Sequence, residues 1–407
     1  MGMTTDETQP TGLRRVLSLP WLVFYGVGVT IGAGIFALIA EIVGIAGDHA
    51  PLAFLVAGGV AAFTGFSYAV LASAFPRAAG EAIFVKNGIG EMAGRIVGYG
   101  VIAVAITSSA VIALAFARYV ESFSGLPEPL SLVVVLALLS GVAMAGVRES
   151  VAFAAIITVL EAGTLLIVIA AGAPMVLSSE ALPRMVSIPT DGAVWTAVFG
   201  GAFVAFFAFI GFEDIENMAE ETRDAARTIP LAIILTLVIS VAIYVAVAVV
   251  AAAYPDRAQL VASKAPLSDL FAAITGWPGT PIAVMASIAM VNGILVQIVM
   301  ASRVIYGMSR EAMLPAAIGQ LHPARQTPVR AIALLGLAIA AMGLLVPLLQ
   351  LAELTSFVML LIFTAVNLSL FLIGRRADAM LRLRRWRWWG LGGAVVSLGL
   401  AVSELIA

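Results

Sequence analysis

The 407 residues are 62% hydrophobic and 11% charged, with a net charge of −2 and a mean hydropathy of +1.08. An ordinary soluble domain keeps roughly 25% of its residues charged, so a water-soluble fold is excluded and the fold class reads as an all-α integral membrane protein. There is no cysteine, which removes disulfides, thiolate metal sites and thiol nucleophiles. His49 and His322 fall in predicted loops, too far apart in sequence to suggest a metal pair.

A hydrocarbon core of about 30 Å takes roughly 20 apolar residues at the helical rise. Residues 1–18 are polar and are expected to be a disordered cytoplasmic N-terminus. Eleven spans follow, at about 19–47, 51–75, 95–120, 130–147, 151–177, 194–218, 229–254, 278–306, 329–349, 353–374 and 389–406. The first is too long for the apolar core of a signal peptide and has no small-residue cleavage site after it, so it is expected to stay. Segment 264–275 reads as a short amphipathic helix on the outer face, and 383–389, rich in Arg and Trp, as an interfacial anchor rather than a span.

With the N-terminus cytoplasmic, eighteen of the 22 Lys and Arg residues fall on the inner side, including Arg14, Arg15, Arg77 and Arg148. Only Arg118, Arg184, Arg257 and Lys264 lie outside. That is the positive-inside pattern, and it supports the span count, since a missed span would scramble the alternation after it.

Spans one and six differ from the others. Span one contains GVGVTIGAGIF (26–36), with four glycines within nine residues, and span six reads FFAFIGFEDIENMAEE (206–221). Glycine costs roughly 1 kcal/mol against alanine in a helix, so both segments offer places for the backbone to leave helical geometry. Two interrupted segments five spans apart suggest a 5+5 inverted repeat with helices 1 and 6 broken at mid-membrane. The expected parts are residues 19–177 for the first repeat, 178–193 for an extracellular loop, 194–376 for the second repeat, and 377–407 for the basic interfacial segment and last span.

These segments, together with FPRAAGEAIFVKNGIG (75–90), SRVIYGMSREAMLPAAIGQLHP (302–323) and TPVRA (327–331), resemble the amino acid, polyamine and organocation transporters, which share the fold of the leucine transporter. The resemblance runs from about residue 19 to 376. It implies a secondary active transporter of amino acids in the plasma membrane, with proton-coupled symport by alternating access as the leading mode. Exchange or export of cationic amino acids or polyamines, and sodium-coupled symport, stay open as alternatives. This chain departs from its relatives in three places. It has eleven spans where most have twelve, Glu161 follows Thr158 where many carry a lysine, and Asp224 and Ala225 replace an Asn-Pro pair.

Unwound backbone in a bilayer leaves N–H and C=O groups that need partners. The N–H groups of a half-helix starting near Ala33 suit an α-carboxylate, a role assigned to Gly32, Ala33, Gly34 and Ile35. The resemblance implies that Thr30, Phe207, Ala208 and Ile210 receive the ammonium group, with room left by Ala208 and Gly211 and an aromatic gate at Phe207. Thr158, Glu161 and Thr164 form a polar stripe facing protein rather than lipid. A carboxylate withdrawn from water there is costly to keep charged, so Glu161 is the candidate coupling residue, a hydrogen-bonded structural carboxylate being the other reading.

Glu41, Phe206, Ser109 and Asn292 are gate or selectivity candidates, and Thr107, Ser108 and Asn367 further pocket candidates. Glu213, Asp214 and Glu216 suit the start of an inner half-helix, and Glu220 and Glu221 with Arg223 and Arg227 an inner ion-pair cluster. No HExxH, GxSxG or Walker loop is present, so an enzyme is not expected. Neither is a cofactor, a metal or a nucleic-acid partner; the expected partners are the amino acid or amine, H+ or Na+, and the lipid bilayer.

Overall fold

The computed structural model describes residues 17–75, 80–146, 151–310 and 313–406, with the side chains at 151–154, 217, 219, 220 and 406 left aside. The expected disordered N-terminus with Arg14 and Arg15, and the expected inner cations Arg77 and Arg148, lie outside the described residues, as does the Glu220 side chain.

Span one is made of two pieces, α1 (Leu19–Ile31) and α2 (Ala33–Ala46). After a 3-10 turn at Gly47–His49 comes α3 (Ala50–Ala74), then the short α4 (Gly80–Gly88). Spans three to five are α5 (Glu91–Ser124), α6 (Glu128–Ala145) and α7 (Val151–Leu177), followed by the single turn α8 (Leu182–Met185). Span six is α9 (Gly192–Phe206), a 3-10 turn at Phe207–Phe209, and a 3-10 stretch at Phe212–Glu221. Span seven is α10 (Ala225–Ala253), and two short helices follow it, α11 (Arg257–Ala262) and α12 (Pro266–Thr275). Then come α13 (Thr280–Arg310), the short α14 (Ala316–Gly319), α15 (Val329–Leu345), α16 (Leu348–Gly374) and α17 (Leu381–Ile406).

Among the described residues, nine helical stretches are long and apolar enough to cross a membrane, and Leu19–Ile31 and Val329–Leu345 are shorter apolar helices. One long stretch, Ala33–Ala74, turns at Gly47–His49 and so supplies both the second half of span one and all of span two. The architecture is the expected eleven-span α-helical one. In lipid each backbone group must be satisfied within its own segment, which leaves helices as the natural solution for apolar runs of this length.

The core forms where α1 and α2 lie against α7, α9 and α10, with α3, α5, α13 and α16 around them. Small residues set the approach. A Cβ on Gly26 would meet Ile215 and Thr236, one on Gly28 would meet Thr158, and one on Gly34 would stand 2.7 Å from the Ala208 Cα. Close backbone contact of this kind replaces the hydrophobic drive that lipid does not provide. Three of the four glycines expected to break span one therefore serve packing, and Gly32 alone sits at the break.

Segment 264–275 is helical as α12, between Pro266 and Thr275. The Arg- and Trp-rich segment 383–389 is helical and continuous with α17. Trp389 stacks on Phe63 at 4.5 Å and donates its indole N–H to the Phe63 carbonyl (2.9 Å), while Trp386 meets Phe66 edge-on at 4.8 Å. These contacts with α3 pull the aromatic side inward and let the helix begin at Leu381, with Arg382, Arg384 and Arg385 on its exposed side.

On the face carrying α12, each of the four cations expected outside is paired. Arg118 meets Glu128 (3.7 Å), Lys264 meets Glu121 (2.7 Å), and Arg184 (2.6 Å) and Arg257 converge on Asp48. Exposed pairs contribute at most about 1 kcal/mol each, so they organise the loops more than they stabilise the fold.

Candidate functional site

Both breaks are present and they face each other. In span one the helix stops at Ile31 and restarts at Ala33, with Gly32 at φ −38°, ψ −148°. In span six the 3-10 turn at Phe207–Phe209 gives way to extended Ile210 (φ −63°, ψ 131°) and then to Gly211 at φ 124°. Only glycine adopts that last conformation readily. Its bare Cα also lets the chain pass span one, since a Cβ there would lie 2.9 Å from the Val29 carbonyl oxygen.

A cavity of about 50 Å³ lies between the breaks. Gly28, Val29, Thr30, Gly32, Ala33 and Gly34 line it from span one, and Phe207, Ala208 and Ile210 from span six. Glu161 enters from α7, Ser108 and Ile112 from α5, and Asn292, Gly293, Val296 and Gln297 from α13. One ordered water needs roughly 10–15 Å³ by this kind of measure, so the cavity has space for a small polar solute and must widen for a larger one.

Two polar atoms in this lining have no hydrogen-bond partner: Oε2 of Glu161 and Oγ1 of Thr30, each on a residue only 3% exposed. Thr158 and Thr164, above and below Glu161 on α7, are buried as well; Thr158 donates to the Phe24 carbonyl (3.2 Å) and Thr164 to that of Leu160 (2.7 Å). Leaving a buried polar atom unpaired costs on the order of 1–3 kcal/mol, so this pair marks a place where a ligand or water improves the structure.

The carbonyls of the breaks already have one protein donor between them. The Tyr244 hydroxyl on α10 lies 2.6 Å from the Thr30 carbonyl oxygen and 2.8 Å from that of Ala208. It carries one hydrogen, so it donates to one carbonyl at a time and leaves acceptor capacity on both. The phenol ring is packed edge-on by Phe209 at 5.1 Å. Sequence reading missed Tyr244, although a tyrosine in an otherwise aliphatic span signals a buried hydroxyl in need of a partner. Gln297, one helical turn beyond Gly293 on the same face of α13, was missed too.

Several residues singled out from the sequence lie elsewhere. Ser109 is fully buried away from the cavity, and its neighbour Ser108 takes the lining position. Phe206 packs edge-on against Phe363 at 5.7 Å, while Ile35 and Gly211 support the breaks without lining the cavity. Thr107 accepts a hydrogen bond from Thr355 (2.7 Å), and Asn367 donates to Thr64 (2.9 Å), so these polar groups tie α5 and α3 to α16 rather than face a solute. Glu41 lines a separate cavity of about 240 Å³ with Arg118, Tyr119, Glu128 and Lys264, near α12. Beyond its break, span six is a ten-residue 3-10 stretch rather than an α-helix. Glu213 accepts the Gly211 N–H there (2.9 Å), so an acidic side chain does cap the segment.

An all-α membrane protein whose first and sixth spans both break around one small polar cavity is a transporter of the discontinuous-helix class. The comparisons specify it further. The family model described as amino acid permease matches residues 16–406, and the chain belongs to that family, within the amino acid, polyamine and organocation superfamily. It is 33% identical over 370 residues to an uncharacterized transporter of Mycobacterium tuberculosis, covering 90% of this chain and 82% of the relative. It is 28% identical over 386 residues to the branched-chain amino acid permease of Bacillus subtilis (89% and 82% covered). It is 29% identical over 397 residues to the vacuolar cationic amino acid transporter 2 of Arabidopsis thaliana (89% and 60% covered).

Proposed function

We propose that this permease carries amino acids across the plasma membrane by proton-coupled symport, with the site alternating between the two faces. The α-carboxylate is met by the free N–H groups of Gly32, Ala33 and Gly34 at the start of α2, where the helix dipole is favourable. The ammonium is met by the carbonyls of Thr30, Phe207, Ala208 and Ile210, of which Thr30 and Ala208 are held in place by Tyr244. Glu161 is the proton carrier.

The observation that carries this reading is the pairing of unpartnered Glu161 Oε2 with unpartnered Thr30 Oγ1 in the cavity where the two breaks meet. An uncompensated charge there is expensive. A neutral, protonated Glu161 fits the loaded state, and release follows when the cavity opens to water.

We take the N-terminus as cytoplasmic from the distribution of Lys and Arg, which places α4 inside and α12 outside. The two five-span halves are read as inverted repeats. In support, each half carries its break in its first span and a short helix between its second and third spans, α4 in one and α12 in the other.

The test is uptake of radiolabelled amino acids into proteoliposomes, with an imposed pH gradient and sodium replaced by choline. The wild type is expected to accumulate substrate and take up protons with it. Glu161→Gln is expected to keep counterflow exchange and to lose pH-driven accumulation. Accumulation by Glu161→Gln equal to wild type overturns the role of Glu161, and loss of uptake in choline favours sodium. A second reading, exchange of cationic amino acids, is favoured by the Glu41 side chain in the outer cavity and by the relative named as a cationic amino acid transporter. Lysine and arginine competing better than leucine or alanine would select it.

A further inference from the structure

On the α4 side of the span-six break, the symport reading leaves a group of carboxyl side chains unused. Glu213 and Glu216 lie on the 3-10 stretch Phe212–Glu221, 6% and 3% exposed. Half-buried Glu81 comes from α4, which packs on that stretch; a Cβ on its neighbour Gly80 would be 3.8 Å from Glu216 Oε1. Tyr68, fully buried on α3, completes the group, wedged between the rings of Phe84 and Phe212 at 5.9 Å each.

Neither oxygen of Glu216 has a hydrogen-bond partner, and the Tyr68 hydroxyl faces the Glu81 carboxyl. The charged groups that act on Glu216 are Glu81, Glu213 and Asp214, all acidic. The helices α1 and α10, which carry Tyr25 and Arg227, pack on this stretch, and neither oxygen of Glu216 takes a hydrogen bond from them. Burial pushes the Glu81 carboxyl above its usual range. No group of three or more metal-ligating side chains is present among the described residues. Buried carboxyls packed together without a compensating cation at Glu216 cannot all be charged, so this group holds at least one proton while it is closed to water.

The group is also wired to the substrate cavity. Glu213 holds the N–H of Gly211, and the next residue back, Ile210, lines the cavity. A proton added to or lost from the group changes the competition for Glu213, and with it the conformation of the break.

We propose that Glu216, with Glu213, Glu81 and Tyr68, forms a second proton-binding site, separate from Glu161, which exchanges protons with the α4 face and controls opening of the inner half of span six. Only its sidedness rests on the orientation proposed above.

Proton binding is measured first on purified protein without substrate, from the infrared carbonyl band of protonated carboxylic acids titrated between acidic and alkaline pH. In Glu161→Gln a titrating band is expected to remain, and Glu216→Gln is expected to remove a further share of it. If Glu216→Gln does not yield folded protein, Glu81→Gln, half-buried on the short helix α4, is expected to remove its own share. A titration unchanged from wild type in both variants overturns the site.

Counterflow exchange in proteoliposomes, with only the pH on the α4 face varied, then reads the gating. The wild-type rate is expected to change by up to about tenfold per pH unit, the limit for one controlling proton, and Glu216→Gln is expected to flatten the profile. An unflattened profile overturns the gating role. Absence of exchange in every variant counts against the transport reading, while the infrared titration still decides the proton site.

Discussion

The two breaks are built differently. Span one changes direction at a single residue, Gly32, and α2 resumes at once as an α-helix whose first eight residues, Ala33 to Ala40, are all buried. Span six spends Phe207 to Gly211 on its break and then continues as a 3-10 stretch rich in carboxyls. Long 3-10 runs have poorer hydrogen-bond geometry than α-helix and mark hinges or strain. The comparison teaches where rigidity and motion reside: α2 is a packed wall, and the 3-10 stretch of span six is a segment whose weaker backbone geometry suits it to move.

The sharpest way to break that contrast is to add one methyl group at each glycine. Gly211→Ala forces a left-handed backbone position and a Cβ against the Val29 carbonyl. Strain of that kind costs about 1–3 kcal/mol before the clash is counted, so transport is expected to vanish and the thermal midpoint of purified protein to fall by several degrees. Gly34→Ala drives a Cβ into Ala208 across the interface between the breaks. About 1–3 kcal/mol of overpacking is expected, with transport reduced at least tenfold and span six displaced.

Tyr244→Phe comes next. It removes the one donor shared by the Thr30 and Ala208 carbonyls, a loss of about 1–3 kcal/mol, and substrate KM is expected to rise roughly tenfold with the fold retained. Gly32→Ala is the informative small effect. Its Cβ would have nothing closer than 3.6 Å, so stability is expected to stay within about 0.5 kcal/mol, although Gly32 is the break itself. A Gly32→Ala variant less stable than Gly34→Ala would reverse the assignment of packing and breaking glycines.

The smallest effect belongs to Arg95→Ala on the exposed start of α5. Arg95 bonds Glu91 at 2.8 Å and holds that carboxyl below its usual range. A lowered carboxylate contributes above its unfolded value and loses the contribution as pH falls through the folded value. Because this pair is exposed and screened, thermal midpoints of variant and wild type are expected to coincide at neutral pH and at pH 3 alike.

The spans and the two interrupted segments were legible in the sequence because bilayer thickness fixes helix length, and because backbone that leaves helical geometry calls for small residues. Rotation about each helix axis was not legible. Ser108 and Ser109 differ by 100° of helical rotation, and only packing of α5 against α13 and α16 decides which one reaches the cavity. Thr107 and Asn367 were misread for the same reason, since a polar group in an apolar span points either to a solute or to another helix, and the partner is remote in sequence. Tyr244 escaped because its role depends on two carbonyls, 214 and 36 residues away. The glycines of span one were legible as a cluster but not one by one, since what each approaches is set by neighbours on other spans.

The entry to span one and the exit from span six share a short stretch of parallel pairing. Leu17 donates its N–H to the Glu221 carbonyl and accepts from the Arg223 N–H, both at 3.0 Å. That clasp ties the two half-spans on the α4 side into one mechanical lever, so a tilt of either is expected to drag the other, the cavity's floor moving as a single door rather than two independent leaves.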